Sequence, residues 1–387
     1  MREEQTRLHL ARELMDVFAQ RTGLTGGGSP RRYLWTDAFA VCNFLGLYRS
    51  TGEGGYLELA LRLVDQVHHT LGRHRQDDPR KGWIAGDSDA EGERHPTRGG
   101  LRIGKEHPER RADQRIDPQL EWDRDGQYYH YLTKWMVALE RVGDELRDPR
   151  FHRWAAELAL AAHRGFCHFD PALGRPRLVW KMSIALDRAL VPSMGHHDPL
   201  DGLITYLEIE ARASDAEEAH LLDREIAELE VLCTGARWDT DDALGIGGLL
   251  TDAYRLGRLV VTEAPSRVGL LRQVLADGRA SLAAFAPART LDAPAERRLA
   301  FRELGLAIGL AAARRLAEMP HLPEPSDDLA AITAQAPLGT RIERFWSDPA
   351  NRAGRTWREH VDINSVMLAT SLLPDEFLGL PQRSVAP

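Results

Sequence analysis

Apolar residues along this chain recur at three- and four-residue steps. Between positions 56 and 71, Leu57, Ala60, Leu61, Val64, Val67 and Leu71 form one stripe, which is the mark of a helix buried on one face. The same period returns at roughly 4–20, 34–50, 126–143, 150–168, 199–213, 216–234, 242–261, 266–284, 296–318, 340–347 and 358–372, so the pattern predicts about twelve helices. Sustained period-two alternation of the strand type is nearly absent. Breaks fall at Thr51-Gly52-Glu53-Gly54-Gly55, Asp148-Pro149, Asp170-Pro171, Ala264-Pro265 and Pro320 to Pro325, where glycine, proline and short polar residues favour turns over helix.

Twelve helices in 387 residues leave about 32 residues for each helix with its connection. That is the arithmetic of six helical hairpins closed into a ring, so the expected fold class is all-α, an (α/α)6 toroid. A single domain over 1–380 and a disordered tail over 381–387 are expected. Two connections, 73–121 and 174–198, exceed ordinary loop length and are rich in Gly, Pro, His and charge, which marks them as rim loops with a functional part.

Three helices open alike. Trp35-Thr36-Asp37, Trp122-Asp123-Arg124-Asp125 and Trp238-Asp239-Thr240-Asp241-Asp242 each precede an apolar run, with a looser fourth copy at Trp357-Arg358-Glu359-His360. An acid at a helix start accepts bonds from free N–H groups, and capping is the plain reading of each Asp. Capping leaves the recurring Trp unexplained. In a ring of hairpins the inner helices start at one rim, so these aromatics and carboxylates are expected to converge on one depression.

In organisation and in these motifs the chain resembles the six-hairpin glycosidase superfamily. The likeness extends over nearly the whole chain in helix count, and in motif over Trp35 to Asp37, Glu121 to Tyr131 and, less closely, Trp238 to Asp242. It implies an (α/α)6 toroid in which acids at the rim do acid–base work and tryptophans stack on sugars. Asp37 and Asp125 are the nearest equivalents of those acids.

Glycosidic cleavage needs a proton donor and an ionised carboxylate across the bond. Asp125 is read as the donor and Asp37 as the group that activates water or steadies positive charge, with Asp123 able to exchange with Asp125. Trp35, Trp122 and Trp238 are read as stacking platforms, Tyr128 and Tyr129 as a site wall headed by Asp125 on one helix face, and His130 as a further substrate-binding residue. In the segment Met194 to Gly202, Asp198 is read as a helix cap, with His196 or His197 facing the depression as a proton shuttle. Lys181, Asp241 and His360 complete the expected binding set. No metal and no cofactor are expected, because adjacent histidines diverge on a helix and Cys42, Cys167 and Cys233 lack the CxxC spacing of a thiolate zinc site.

Composition narrows the partners. Against 58 acidic residues there are 50 basic ones, for a net charge of −8, and no long basic run, so nucleic acid is not an expected partner. No apolar run of about 18 residues and no leader-like start is present, so neither membrane spanning nor export is expected, and sparse cysteine suits a reducing cytoplasm. The expected partner is a saccharide substrate; the oligomeric state is not legible in the letters.

The leading expectation is therefore a carbohydrate-active enzyme, a glycoside hydrolase acting on a small or anionic oligosaccharide. Two alternatives stand beside it: a sugar epimerase or isomerase using rim histidines, and a non-catalytic toroid that binds glycan or protein. Asp239-Thr240-Asp241-Asp242 also matches the DxDD pattern of class II terpene cyclases, but a cap followed by first-turn acids looks the same.

Overall fold

The computed structural model describes residues 2–172, 174–213, 220–285, 291–322 and 327–379. The expected tail at 381–387 lies outside them. Among the described residues, twelve helices have eleven residues or more: α1 (Arg2–Arg21), α2 (Leu34–Thr51), α3 (Gly54–Leu71), α4 (Tyr129–Leu146), α5 (Pro149–Phe166), α6 (Asp198–Glu210), α7 (Asp223–Cys233), α8 (Ala243–Thr262), α9 (Val268–Ala284), α10 (Ala300–Ala317), α11 (Ala336–Ser347) and α12 (Val361–Leu372). None of the described helices is long and apolar enough to cross a membrane. The chain separates into two compact units, one made of Ala19–Val41 with Glu58–Arg237, the other of the rest of the described chain. The first three helices supply residues to both.

In the first unit α4 packs on α5 and on α6, and α6 packs on α7. The stripe Leu132, Trp135, Met136, Leu139 and Val142 of α4 is wholly buried, as its spacing demands. Asp148 caps α5 by accepting the Arg150 N–H, and Pro149 takes the first helical position, where a missing N–H costs nothing. Trp135 Nε1–H donates to His68 Nε2 at 3.2 Å, so His68 is a core histidine; burial and the neighbouring His69 lower its pKa to about 3.

Among the described residues, five short strands interrupt the helices: β1 (Gln127–Tyr128), β2 (Cys167–Asp170), β3 (Arg175–Leu178), β4 (Lys181–Met182) and β5 (Ala189–Val191). They form two antiparallel sheets, β1-β4-β5 and β2-β3. Here the periodicity misplaces an element. The helix expected over 126–143 begins at Tyr129, because Gly126 adopts φ 148° and Gln127 and Tyr128 pair with Met182 and Lys181. A Cβ on Gly126 would lie 2.7 Å from the Met182 carbonyl oxygen, so only glycine fits that turn.

In the second unit α8 and α10 meet backbone to backbone. A Cβ built on Gly247 would lie 2.1 Å from the Gly305 carbonyl oxygen, and one on Gly309 2.5 Å from that of Gly247. The small residues of 245–248 thus serve close helix packing rather than a phosphate loop. Gly247→Ala should cost about 3 kcal/mol or more, since two backbones must separate. Gly248→Ala, with nothing within 4 Å of its added methyl, should be neutral or slightly stabilising. Thermal melts of the two variants side by side check this.

Candidate active site

The sequence motifs that open alike have three different fates. In the first turn of α2, Asp37 turns its carboxylate back on the helix start: Oδ2 accepts the Tyr33 N–H at 2.8 Å and Oδ1 lies 3.4 Å from Arg32 Nη1. Both side chains are buried. Asp125 heads no helix. It sits fully buried in the loop before β1, where Oδ2 takes Arg102 Nη1 at 2.5 Å and Arg75 Nη1 at 3.3 Å, while Oδ1 faces the N–H groups of Gly104, Lys105 and Gly126. A carboxylate whose oxygens are all engaged inside the protein offers no face to a substrate. In the second unit Asp242 is the true cap, accepting the Gly245 N–H at 2.9 Å, with Asp241 exposed beside it.

The tryptophans divide likewise. Trp35 is buried against Phe39, ring centres 4.5 Å apart. Trp238 is buried, and its backbone N–H donates to Asp277. Burial of both rings removes the stacking faces expected of them. Trp122 alone of the three is open, 53% exposed, and its edge meets Trp180 at 4.8 Å. Trp180 lies against Tyr128 at 5.4 Å and runs nearly parallel to the His130 ring at 6.2 Å. Tyr131 closes the row against Tyr128 and His130, and its hydroxyl is 2.6 Å from that of Tyr33. Lys105 holds its ammonium 5.4 Å from the Tyr33 ring centre. These rings form one continuous aromatic wall.

Beside the wall stands a cluster on α4 and α6. Asp198 and Asp201, three apart on α6, share a face. Asp201 accepts Thr133 Oγ1 at 2.5 Å and Lys134 Nζ at 2.7 Å. Asp198 is different. Its side chain is 8% exposed, its Oδ2 has no hydrogen-bond partner among the described residues, and its Oδ1 lies 3.7 Å from His130 Nδ1, an atom that also lacks one. A Cβ on Gly195 would lie 2.3 Å from Asp198 Oδ2, so glycine lets that backbone lie directly against the carboxyl. Burial first, then the nearby Asp201, push the Asp198 carboxyl up to about 8, with Lys134 opposing. Burial and Lys134 lower the His130 imidazole to about 4. At neutral pH the pair is thus a carboxylic acid beside an uncharged imidazole. Asp198 is the first residue of α6 rather than its cap: His197 holds the cap position and no side chain bonds the free N–H groups there.

The other expected residues fall as follows. Tyr129 is wholly buried at the start of α4, facing Phe166 rather than the wall. Lys181 is a buried strut, donating to the Glu121 and Arg124 carbonyls and to Glu121 Oε1, while Arg110 grips Oε2. Asp123 is exposed between Trp122 and the Asp125 loop. His196 and His197 pack ring to ring at 4.7 Å just before α6. In the second unit His360 is exposed at the start of α12, edge-on to Phe301. Of the loop histidines, His95 pairs with Glu157. A cavity of about 370 Å³ lies apart from the wall, lined by Arg98, Gly99, Arg164, Gly165 and Leu186 among others, and contains none of the acid–imidazole cluster.

Sequence reasoning missed Trp180, Tyr131 and Tyr33, and read Asp198 only as a helix start. The available signal was Asp-x-x-Asp on one face of a helix, together with Lys134, one of only four lysines in the chain.

The architecture is that of the six-hairpin (α/α)6 toroids, an all-α class. Solved structures with this fold include the GH76A α-1,6-mannanase of Salegentibacter sp. HEL1_6, 13% identical over 96% of this chain and 98% of that one, with a TM-score of 0.50. A variant of that enzyme inactivated at two adjacent aspartates and bound to α-1,6-mannotriose matches with a TM-score of 0.52, at 13% identity over 95% and 99% of the two chains. Cellobiose 2-epimerase from Bacillus thermoamylovorans B4167 matches at 10% identity over 89% and 87%, with a TM-score of 0.50. No known family profile and no curated protein matches the chain.

Proposed function

We propose that the chain is a glycoside hydrolase acting on a small or anionic oligosaccharide by carboxylate acid–base catalysis, within a single toroid domain spanning residues 1–380. The observation that carries the reading is Asp198, a buried carboxyl with an unpartnered oxygen, set beside an aromatic wall. An unsatisfied buried polar atom costs about 1–3 kcal/mol unless a ligand, ion or water meets it. Fold supports it too, since the structurally similar proteins named above act on saccharides.

In this reading Trp122 and Trp180 hold the apolar face of a sugar ring and Lys105 meets an anionic substituent. Asp198 gives its proton to the glycosidic oxygen as the bond to the anomeric carbon breaks. The exposed Asp123 takes a proton from the attacking water, whose oxygen forms the new bond to that carbon, or itself steadies the developing positive charge. Asp37, Asp125 and Lys181 hold the framework. The tryptophans should act mainly through binding: Trp122→Ala and Trp180→Ala should each raise KM about tenfold with a smaller change in kcat, read from steady-state kinetics.

The uncharged His130 imidazole favours a second reading, epimerisation, in which it removes the proton beside the carbonyl of a ring-opened sugar. One experiment separates the two. Incubation with mannose- and glucose-based oligosaccharides in deuterated water should yield new reducing ends and no deuterium on carbon. An epimer carrying deuterium at C2, with no new reducing ends, would replace the hydrolase reading by the epimerase one.

A further inference from the structure

A second cluster of chemically active side chains lies away from the aromatic wall, and none of its members takes part in the proposed reaction. His163 lies in the last turn of α5, and Cys167 is the extended residue that ends the helix, its backbone N–H donating to the His163 carbonyl. Glu228 of α7 reaches the same point. One ligand atom from each, imidazole nitrogen, thiol sulfur and carboxylate oxygen, lies within 4.8 Å of the others. Glu228 Oε2 is 2.9 Å from His163 Nε2 and 3.7 Å from Cys167 Sγ. Its other oxygen, Oε1, is held by Arg224 at 3.0 Å, which aims Oε2 inward.

We propose that His163, Cys167 and Glu228 bind one zinc-class divalent cation, with a fourth position left to water. Zinc takes Cys, His and carboxylate ligands at about 2.3, 2.0 and 2.0 Å in a tetrahedron, so ligand atoms on one ion stand about 3.3–3.5 Å apart. The oxygen-to-sulfur distance is already within a few tenths of an ångström of that value, the oxygen-to-nitrogen pair needs to open by about 0.4 Å, and the nitrogen-to-sulfur pair, within 4.8 Å, needs to close by up to about 1.3 Å. His163 is buried, and Cys167 and Glu228 are half-buried, so the site is shielded yet reachable. The ligand set mixes one soft and two harder donors, which suits zinc over magnesium or calcium.

On binding, the Cys167 thiol loses its proton to solvent as the sulfur–metal bond forms, and the proton between His163 Nε2 and Glu228 moves to His163 Nδ1, so that a neutral imidazole offers Nε2 to the ion; nothing is oxidised or reduced. Cys167 opens β2, and α7 packs on its partner β3, so the ion clips the β2-β3 hairpin between α5 and α7. This assignment is independent of the hydrolase reading.

The test uses the full chain after removal of metal with a chelator. Titration with Co2+ should give a thiolate-to-cobalt charge-transfer absorption that saturates at one equivalent and is bleached by Zn2+. Zn2+ should also raise the melting temperature. Cys167→Ser should abolish the band, and Glu228→Gln should weaken cobalt binding at least tenfold. Absence of the band in the unsubstituted chain, or its persistence in Cys167→Ser, would overturn the site and leave the three groups as a hydrogen-bonded triad. Because the decisive reading is on the unsubstituted protein, poor folding of a variant does not rescue the idea.

Discussion

Asp198→Asn should lower turnover by about 10²–10⁴-fold, the range supplied by a positioned general acid, while leaving helical content unchanged. The side chain keeps its shape, and no hydrogen bond to Oδ2 is lost because none is made. The pH profile carries the sharper test. With the carboxyl pushed up to about 8, wild-type activity should fall as pH climbs through that value and the proton is lost. Residual activity of Asp198→Asn should lack the alkaline limb. Stability should fall over the same rise in pH. A carboxyl raised in the folded state favours folding fully only below its unfolded pKa, ordinarily near 3.8, and that contribution is lost as pH rises toward 8. The Asn variant escapes the loss, so at pH 8 it should melt no lower than wild type while being nearly inactive. Two histidines act at the other end: His68 and His130, lowered to about 3 and 4, withdraw stability as pH falls below 6.5. An unchanged alkaline limb in the variant, or turnover within a few-fold of wild type, would remove Asp198 from the chemistry.

The helices were legible because burial on one face imposes a 3.6-residue period, which survives without any knowledge of tertiary contacts. The strands were not. Segments of two to four residues, such as Gln127–Tyr128, are too short to show alternation, and their pairing with Lys181–Met182 depends on residues some 50 positions away. That one strand moved the start of α4 and took Tyr128 off the helix face assigned to it. The recurring Trp and Asp were real features read with one meaning when they had several. Helix capping, ion pairing and acid catalysis all use Asp, so letters alone did not separate Asp242 at a cap, Asp125 between two guanidiniums and Asp198 with one oxygen unpartnered among the described residues. Arginine decided these fates: Arg32, Arg75 and Arg102 come from loops whose path no periodicity predicts. Trp180 escaped notice for the same reason, lying in a connection between β3 and β4 rather than on a helical stripe.

Asp125→Asn should therefore damage the fold and spare the chemistry. The wild-type carboxylate neutralises Arg102 and, in part, Arg75, in a place where its own side chain has no exposure and that of Arg102 little. An amide keeps one acceptor oxygen but turns an N–H2 group toward the guanidiniums or toward the Gly104 and Lys105 N–H groups, and either choice sets donor against donor. Removing one partner of a buried ion pair costs about 3–5 kcal/mol, much of it the penalty of an uncompensated buried charge. The expected reading is a clear drop in melting temperature and in the denaturant midpoint, with kcat per folded molecule changed by less than tenfold at a temperature where the variant is native. A second substitution sharpens the test: Arg102→Met in the Asp125→Asn background should recover part of the lost stability, because the stranded cation is gone. If instead the variant melts like wild type and loses turnover more than a hundredfold, Asp125 returns to the acid–base role its sequence motif suggests, and the arginines around it must open for substrate.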